Sequence, residues 1–334
     1  MRLSVTKITC LLIALLAAVS GHNRVWRADS LAGYERTTIS LPKGRVCTVV
    51  RKQSACGGNR GVLYIHGYND YFFQAEEGDR FVDSCYNWYA VDLHGYGRSI
   101  KPGERPYQSD HIADYYLDID SALSVMKSDG VTRVALMGHS TGGLISASYM
   151  AFGHPSRQVR ALILNSPFLQ FNFNEFMLDF ALPAVQCFGS HFPGVALPQS
   201  YDDTAYGESC SADFHGEWHY NYAWKTLHPR PITTGWISMI GDAQHRLTNN
   251  PERICVPILL MHSARSIDEA KWTPAHQSAD AVLNVAHIKN LGRKLGPSVT
   301  EFTVRGGMHD LFLSAPRVRN ALYNSVFRWL RNRL

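Results

Sequence analysis

Short apolar runs alternate with longer amphipathic runs along most of the chain. The short runs are rich in Val, Leu and Ile and have the length of buried strands. Between them, apolar residues recur at helical spacing in residues 109–127, with Ser109 as a possible N-cap, and in residues 141–152. Because strands that alternate with helices form mostly parallel sheets covered on both faces, the pattern predicts an α/β fold. The predicted strands are residues 61–66, 88–93, 133–138 and 159–165.

The alternation breaks in residues 167–250, which are rich in aromatic residues, Pro and Gly. It resumes with apolar runs at 257–262 and 299–304 and a final amphipathic helix from Pro316. This arrangement predicts one α/β core formed by residues 21–166 and 251–334, with residues 167–250 inserted as a cap or lid.

The first twenty residues differ from the rest of the chain. Arg2 and Lys7 are followed by an apolar run over residues 8–18, and then by small residues at the two positions that a signal peptidase reads. The apolar run is shorter than the roughly 20 residues of a spanning helix. Residues 1–20 are therefore predicted to be a signal peptide, which predicts a secreted or periplasmic protein. An uncleaved N-terminal membrane anchor is the alternative.

Composition narrows the classes of partner. The chain has 334 residues, of which 45% are hydrophobic and 18% charged, as in an ordinary globular protein. Removing residues 1–20 lowers the formal net charge only from +5 to +3, which argues against a nucleic-acid partner. Basic residues near the C-terminus are interpreted as the solvated face of the last helix, with contact to an anionic membrane surface as the alternative. They are Arg317, Arg319, Arg328, Arg331 and Arg333.

Six cysteines follow the predicted signal peptide, and an even number in an exported chain permits three disulfides. Cys47 with Cys56 and Cys187 with Cys210 are plausible local pairs, although the complete pairing cannot be deduced from the sequence. The spacing contains no Cys-x-x-Cys pair, so no metal site is expected. The remaining cysteines are Cys85 and Cys255.

Residues 138–143, Gly-His-Ser-Thr-Gly-Gly, follow an apolar strand and begin a predicted helix. They fit the pattern Gly-x-Ser-x-Gly, in which a sharp turn from strand to helix exposes a serine hydroxyl at the edge of a sheet. The glycines leave room for the crossing chain, and the helix N-terminus after Ser140 favours negative charge. Ser140 is therefore the predicted nucleophile.

A serine nucleophile needs a base and an acid that orients the base. His309 follows the last apolar strand, where a histidine can loop back over the serine. The acid should lie between them along the chain, after the run at 257–262. The candidates are Asp268, Glu269 and Asp280; Asp280 is favoured, 29 residues before His309, and Asp268 is the alternative.

Such a nucleophile also needs two backbone N–H donors for the oxyanion. One is expected from Thr141, which directly follows the nucleophile. The other is expected from Tyr68, in the loop after the first apolar strand, where His66-Gly67 could otherwise be a simple strand-ending turn.

The chain resembles the α/β-hydrolase-fold enzymes of the monoacylglycerol lipase, lysophospholipase and serine aminopeptidase group. The resemblance rests on the strand that ends in His66-Gly67, the run Asp-x-x-Gly-x-Gly-x-Ser at residues 92–99, the elbow at Ser140 and the region around His309. It implies a triad of Ser140, Asp280 and His309, with a structural role for Asp92. One departure is that residues 263–279 separate the strand from the acid, which in this group follows the strand closely.

The resemblance implies a carboxylic-ester hydrolase that needs no cofactor. The apolar start of residues 167–250 favours a lipid-like acyl substrate with peripheral membrane contact, and the alternative is that these residues are the core of the cap, packed on the main domain. His66, His139, Phe168 and Trp218 are predicted to contact the substrate. A dehalogenase or epoxide hydrolase is disfavoured because these enzymes carry Asp at the position of Ser140.

Two other functions stay open. An aminopeptidase-type peptidase on the same fold would need an acidic site for a free amine, and a non-catalytic binding protein could be built on the same scaffold. Acidic residues available for an amine site are Asp202, Asp203, Glu208 and Glu217.

Overall fold

A computed structural model describes residues 24–107, 109–173, 177–197 and 204–334. The predicted signal peptide, residues 1–20, lies outside these residues. Within the described part of the chain, no helix has both the length and the apolar character needed to cross a lipid bilayer.

Nine strands of the described chain form one sheet in the order β1-β2-β3-β5-β4-β6-β7-β8-β9. The first three strands pair antiparallel and join β5, also antiparallel; the pairs from β5 across to β9 are all parallel. The mostly parallel sheet is therefore confirmed. The strands are β1 Arg27–Ala28, β2 Glu35–Ser40, β3 Val46–Lys52, β4 Arg60–Ile65, β5 Asn87–Asp92, β6 Arg133–His139, β7 Val159–Asn165, β8 Ile258–Ser263 and β9 Val299–Val304.

Helices cover both faces of the sheet, because successive side chains of the central strands point to opposite sides. In β5, Trp88 packs in the layer that contains Phe81, whereas Tyr89 packs in the layer that contains Ile119. The helices are α1 Ala75–Asp83, α2 Tyr116–Ser128, α3 Thr141–Phe152, α4 Leu182–His191, α5 Ala205–Cys210, α6 Thr234–Thr248, α7 Val285–Gly292 and α8 Pro316–Leu330, with a π-helical turn at Met177–Ala181.

Most predicted elements form within a residue of their expected bounds, but the helix predicted over residues 109–127 is wrong at its start. The chain first makes a 3₁₀ turn at Ile112–Tyr115, and α2 begins only at Tyr116. Ser109 caps neither element, because the position before the first turn is occupied by His111. The hydroxyl of Ser109 instead donates to the carboxylate of Asp114 at 2.9 Å.

The two predicted local disulfides are also wrong. Cys56 is bonded to Cys85 across 29 residues. Cys47 lies on β3 and is buried in the apolar core. Cys187 is exposed on α4 whereas Cys210 is buried on α5, and neither is bonded. Both pairings were predicted from closeness along the sequence. In the structure, Cys56 pairs with the more distant Cys85, and burial separates Cys210 from the exposed Cys187.

Arg319 is an exception among the C-terminal arginines. Its guanidinium is buried and pairs with Glu76 at 2.8 Å and with Glu217. It therefore joins α8 to α1 and to residues after α5, and does not belong to the solvated face that the sequence predicts.

Candidate active site

Ser140 stands at the turn between β6 and α3 with φ 53° and ψ −119°, a conformation rare for any residue but Gly. The carbonyl groups at the end of β4 pass very close to Gly142. A Cβ on Gly142 would lie 2.3 Å from the backbone oxygen of His66. A strained serine and an obligatory glycine at this crossing are the features of a nucleophile elbow.

The buried carboxylate nearest to His309 is that of Asp280. Its Oδ2 lies 3.0 Å from Nδ1 of His309, and both side chains are almost fully buried. Its Oδ1 accepts hydrogen bonds from the backbone N–H groups of Val282 (2.9 Å) and Leu283 (2.8 Å). Because the carboxylate can only accept from Nδ1–H, the neutral imidazole is left with its lone pair on Nε2, as a general base requires.

The intervening residues between β8 and Asp280 form a loop that closes on itself. The N–H of Ile267 donates to the carbonyl of Asp280 at 2.8 Å, and the N–H of Asp280 donates to the carbonyl of Arg265 at 2.9 Å. These bonds return Asp280 to the end of β8 despite the inserted residues. Asp268 and Glu269, the other two candidates, are exposed to solvent.

Asn165, at the end of β7, connects the turn that carries Ser140 with the loop that carries His309. Its carbonyl accepts the N–H of Ser140 at 3.0 Å. Its side-chain amide donates to Oδ1 of Asp310 at 2.8 Å. The ring of His139, directly before Ser140, lies 4.8 Å from the ring of His309. The structure therefore brings the nucleophile turn and the histidine loop together at the C-terminal edge of the sheet.

The two predicted oxyanion donors lie on segments next to Ser140. Thr141 is the first residue of α3 and is buried. A Cβ on Gly67, directly before Tyr68, would lie 3.1 Å from Cβ of Ser140. The side chain of Tyr68 is held by its own hydroxyl, which donates to the carbonyl of Arg230 at 2.9 Å. The backbone of this loop is thereby fixed beside the nucleophile.

Two of the predicted substrate contacts are engaged by the protein itself. His66 uses both ring nitrogens: Nδ1 lies 2.8 Å from the carbonyl of Gly67, and Nε2 accepts the N–H of Leu93 at 3.1 Å. Trp218 donates its indole N–H to the carbonyl of Leu313 at 3.0 Å. These bonds leave neither residue a free ring nitrogen for a substrate.

His139 is buried beside the nucleophile and is neutral at neutral pH. Burial lowers the pKa of His139, outweighing the opposing effect of the Asp310 carboxylate. Its Nδ1 faces the carbonyl of Asn165 at 3.3 Å, which fixes the proton on that nitrogen.

Phe168 begins an aromatic row that runs from the nucleophile towards the surface. Its backbone N–H donates to the carbonyl of Ser140 at 3.0 Å. Its ring lies 5.1 Å from that of Phe171, which in turn stacks on Phe173 at 5.3 Å. The exposed fraction of Phe173 is 36%. The row therefore connects the backbone at Ser140 with solvent.

A buried charged cluster beside the site was missed in the sequence. Lys225 lies 3.0 Å from Asp70, and Tyr206 packs edge-on against His309 with ring centroids 5.5 Å apart. Two features of the sequence could have indicated this cluster. One is the lysine inside the aromatic-rich stretch before α6, and the other is the aspartate directly after His309. Carboxylate and imidazole groups of Asp70, His139 and Asp310 could suit a cation, but the ammonium of Lys225 already faces Asp70.

The sheet order, the strained serine after β6 and the histidine after β9 define an α/β-hydrolase. Residues 59–315 match the family described as serine aminopeptidase, S33. The chain belongs to this family and is therefore a hydrolase.

Relatives and solved structures agree with this class. Epoxide hydrolase 4 of Mus musculus is 29% identical over 123 residues, which are 35% of this chain and 32% of that protein. The human protein of the same name is 28% identical over the same shares. The chain thus aligns with about a third of the length of these relatives.

Solved structures share the fold over most of the chain. A monoglyceride lipase from Saccharomyces cerevisiae has a TM-score of 0.64 at 17% identity, covering 89% of this chain and 94% of that one. A carboxyl esterase from Bacillus coagulans has a TM-score of 0.63 at 13% identity, covering 90% and 99%. A monoacylglycerol lipase from Paleococcus ferrophilus has a TM-score of 0.60 at 18% identity, covering 90% and 98%.

Proposed function

We propose that the protein is a serine esterase, with Ser140 as nucleophile, His309 as general base and Asp280 as the acid that orients it. The observation that carries the proposal is the buried hydrogen bond between Asp280 and His309 beside the strained turn of Ser140. The carboxylate of Asp280 fixes the tautomer of His309 and stabilises the imidazolium that forms during reaction.

The reaction proceeds in two steps. Nε2 of His309 takes the hydroxyl proton as Oγ of Ser140 attacks the ester carbonyl, and the backbone N–H groups of Tyr68 and Thr141 hold the oxyanion. The protonated His309 gives its proton to the leaving alcohol. Water then attacks the acyl-enzyme with the same histidine as base, which releases the acid and restores Ser140.

We propose that residues 167–250 form a cap on a core of residues 21–166 and 251–334. Contacts of the cap with the loop after β4 support this division. Asn69 donates to the carbonyl of Thr226 at 2.8 Å, and the N–H of Thr226 donates back to the Asn69 side chain at 3.1 Å. The cap is therefore bonded to the loop that carries the proposed oxyanion donor Tyr68.

A lipid-like acyl ester is the proposed substrate class, such as a lysophospholipid or a monoacylglycerol. The aromatic row of Phe168, Phe171 and Phe173 offers an apolar wall beside Ser140. The cap also exposes apolar side chains to solvent, which suit peripheral contact with a lipid surface. They include Phe188, Phe192 and Val195.

An aminopeptidase is the second candidate, because the family carries that description. A free amine needs an unengaged carboxylate near the nucleophile. Glu217 is paired with Arg319, and Glu208 is bonded to Thr204 and lies 3.7 Å from His215. Asp202 and Asp203 lie outside the described residues. Of the four acidic residues that the sequence offers for such a site, the two that the structure describes are therefore already engaged.

We also propose that residues 1–20 direct export, with an N-terminal membrane anchor as the alternative. The bond between Cys56 and Cys85 supports this, because disulfides persist in oxidising compartments.

Turnover of a series of p-nitrophenyl esters tests the proposed function, with an aminoacyl p-nitroanilide as the peptidase substrate. Each buried methylene should add about 0.8 kcal/mol, or about fourfold in kcat/KM, until the apolar wall is filled. Phe171→Ala should lower kcat/KM for long acyl chains but not for acetate. Phe214→Ala, on an exposed ring, is the matched control. Turnover of the anilide alone would contradict the esterase assignment, and turnover of short esters alone would contradict the lipid-like substrate.

A further inference from the structure

Lys225 is a buried lysine of the cap that reaches the core. Its Nζ lies 3.0 Å from Oδ1 of Asp70, with side-chain exposures of 7% and 3%. Lysine is seldom buried without a partner. Burial disfavours its charge, but the carboxylate of Asp70 outweighs burial and raises the pKa of Lys225 above its ordinary value. The cap therefore delivers a permanent ammonium group to the loop after β4.

Three aromatic rings surround this ammonium. Nζ lies 5.4 Å from the ring centroid of Phe73 and 5.7 Å from those of Tyr206 and Tyr220, within the range of cation–π attraction. Tyr206 also packs against His309. The same ring thus contacts both the ammonium of the cap and the proposed general base.

Asp70, which faces the ammonium, belongs to a cluster of polar groups that adjoins the reacting residues. Polar atoms of Asp70, His139 and Asp310 all lie within 4.8 Å of one another. His139 precedes Ser140, and Asp310 follows His309. Oδ2 of Asp310 is buried, has no hydrogen-bond partner in the described part of the chain and lies 4.0 Å from Nε2 of His139. The carboxylate that pairs with the ammonium therefore belongs to a cluster that includes the sequence neighbours of Ser140 and His309.

Burial also acts on the other titratable groups around this cluster. It raises the pKa of Cys210 to about 12 and raises the pKa of Glu77 well above its ordinary value. Burial likewise raises the pKa values of Tyr206 and Tyr220. Asp280 is bonded to His309 itself.

We propose that Lys225 is a positioning residue for ester hydrolysis, whose ammonium offsets the charge of Asp70 beside the loop of the proposed base His309. This inference rests on the proposed function. Without the ammonium, uncompensated carboxylates stabilise the imidazolium before the reaction begins, and a protonated histidine cannot act as base. Docking of the cap thus becomes a condition for full activity.

The test compares Lys225→Met, Asp70→Asn and the double variant across pH. The readouts are the rate constant for fluorophosphonate labelling and kcat/KM for a p-nitrophenyl ester. Lys225→Met should move the midpoint of the acidic limb up by about one pH unit, and Asp70→Asn should move it down by a similar amount. The double variant should return near the wild-type midpoint. Lys101→Met, which removes an exposed lysine, should change nothing.

Opposite shifts of the midpoint in Lys225→Met and Asp70→Asn would distinguish an electrostatic role from a packing role. Loss of packing would lower activity without moving the midpoints. If the wild type is active but the variants leave the midpoints unchanged, this inference is overturned and the proposed function stands. If Lys225→Met does not fold, Asp70→Asn and Lys225→Arg carry the test, since the arginine keeps the charge and should keep the midpoint. A folded wild type that neither labels nor turns over esters overturns the proposed function and this inference with it.

Discussion

Nδ1 of His309 lies 3.0 Å from Oδ2 of Asp280, although 29 residues separate them along the chain. The second carboxylate oxygen is fully engaged by backbone N–H groups. The carboxylate is therefore held in one orientation, and so is the imidazole that it contacts.

Replacing Asp280 by Asn should remove the charge while keeping the shape of the side chain. An amide at this position can hold the wrong tautomer of His309 and cannot stabilise the imidazolium, so kcat should fall by about 10³- to 10⁴-fold. Steady-state kinetics on a p-nitrophenyl ester measure the loss.

The matched control for this variant is Asp268→Asn, which changes the exposed rival carboxylate. It should keep wild-type kcat. A loss of similar size in Asp268→Asn, with Asp280→Asn unaffected, would reverse the assignment of the acid.

Gly67→Ala should lower turnover with little effect on stability. The new methyl group would meet Cβ of Ser140 at 3.1 Å and Cδ2 of His139 at 3.3 Å, so the nucleophile or the loop must shift by a few tenths of an ångström. A displacement of this kind should reduce kcat by about tenfold or more. Gly194→Ala, where a methyl group meets nothing within 4 Å, is the control. Wild-type kcat in a folded Gly67→Ala protein would contradict the tight approach.

Removing the disulfide should destabilise the protein without touching the site. The bond between Cys56 and Cys85 closes a loop of 29 residues, and its loss should lower the free energy of unfolding by about 3–4 kcal/mol. Urea unfolding of Cys56→Ala/Cys85→Ala measures the change. Cys255→Ala, an exposed free thiol, should leave stability unchanged. Equal stability of the double variant and wild type would show that the bond does not form.

Glu77→Gln should stabilise the protein at alkaline pH. Burial, and then the charge of Asp310, raise the pKa of Glu77 well above 4.5 in the folded chain. An acid with a raised folded-state pKa loses stability as pH rises above its unfolded value, because the unfolded chain ionises first. Glutamine has no such dependence, so the midpoint temperature of unfolding should rise by about 2 °C or more at alkaline pH.

The gain from Glu77→Gln should shrink as the pH approaches 4.5, the ordinary value for the carboxyl. Exposed Glu252→Gln should show no such trend. A constant difference between Glu77→Gln and wild type across pH would mean that Glu77 is not held protonated.

The sheet and the proposed triad were accessible from the sequence because each depends on local order. The strands β7 and β9 and the helix α3 begin and end where the apolar pattern predicts. Ser140 and His309 follow strands whose carboxyl ends meet at one edge of the sheet. Asp280 was the preferred acid, and the structure places this residue, rather than Asp268, beside His309.

What escaped prediction depends on contacts between distant segments. The bond of Cys56 with Cys85 needs the end of α1 to pack beside the loop after β3. The pair of Lys225 and Asp70 joins residues 155 apart, and neither carries a local pattern that points to the other. The cap predicted at Ser109 is wrong because the first turn begins only at Ile112, after His111.

Mass mapping of a fluorophosphonate adduct tests the central claim, that Ser140 is an activated nucleophile. The purified protein is labelled beside Ser140→Ala and His309→Ala, digested, and the modified residue is identified. We predict one adduct per chain, on Ser140, that is lost in Ser140→Ala and strongly slowed in His309→Ala. A folded wild type without adduct, or an adduct on a different serine, would contradict the account.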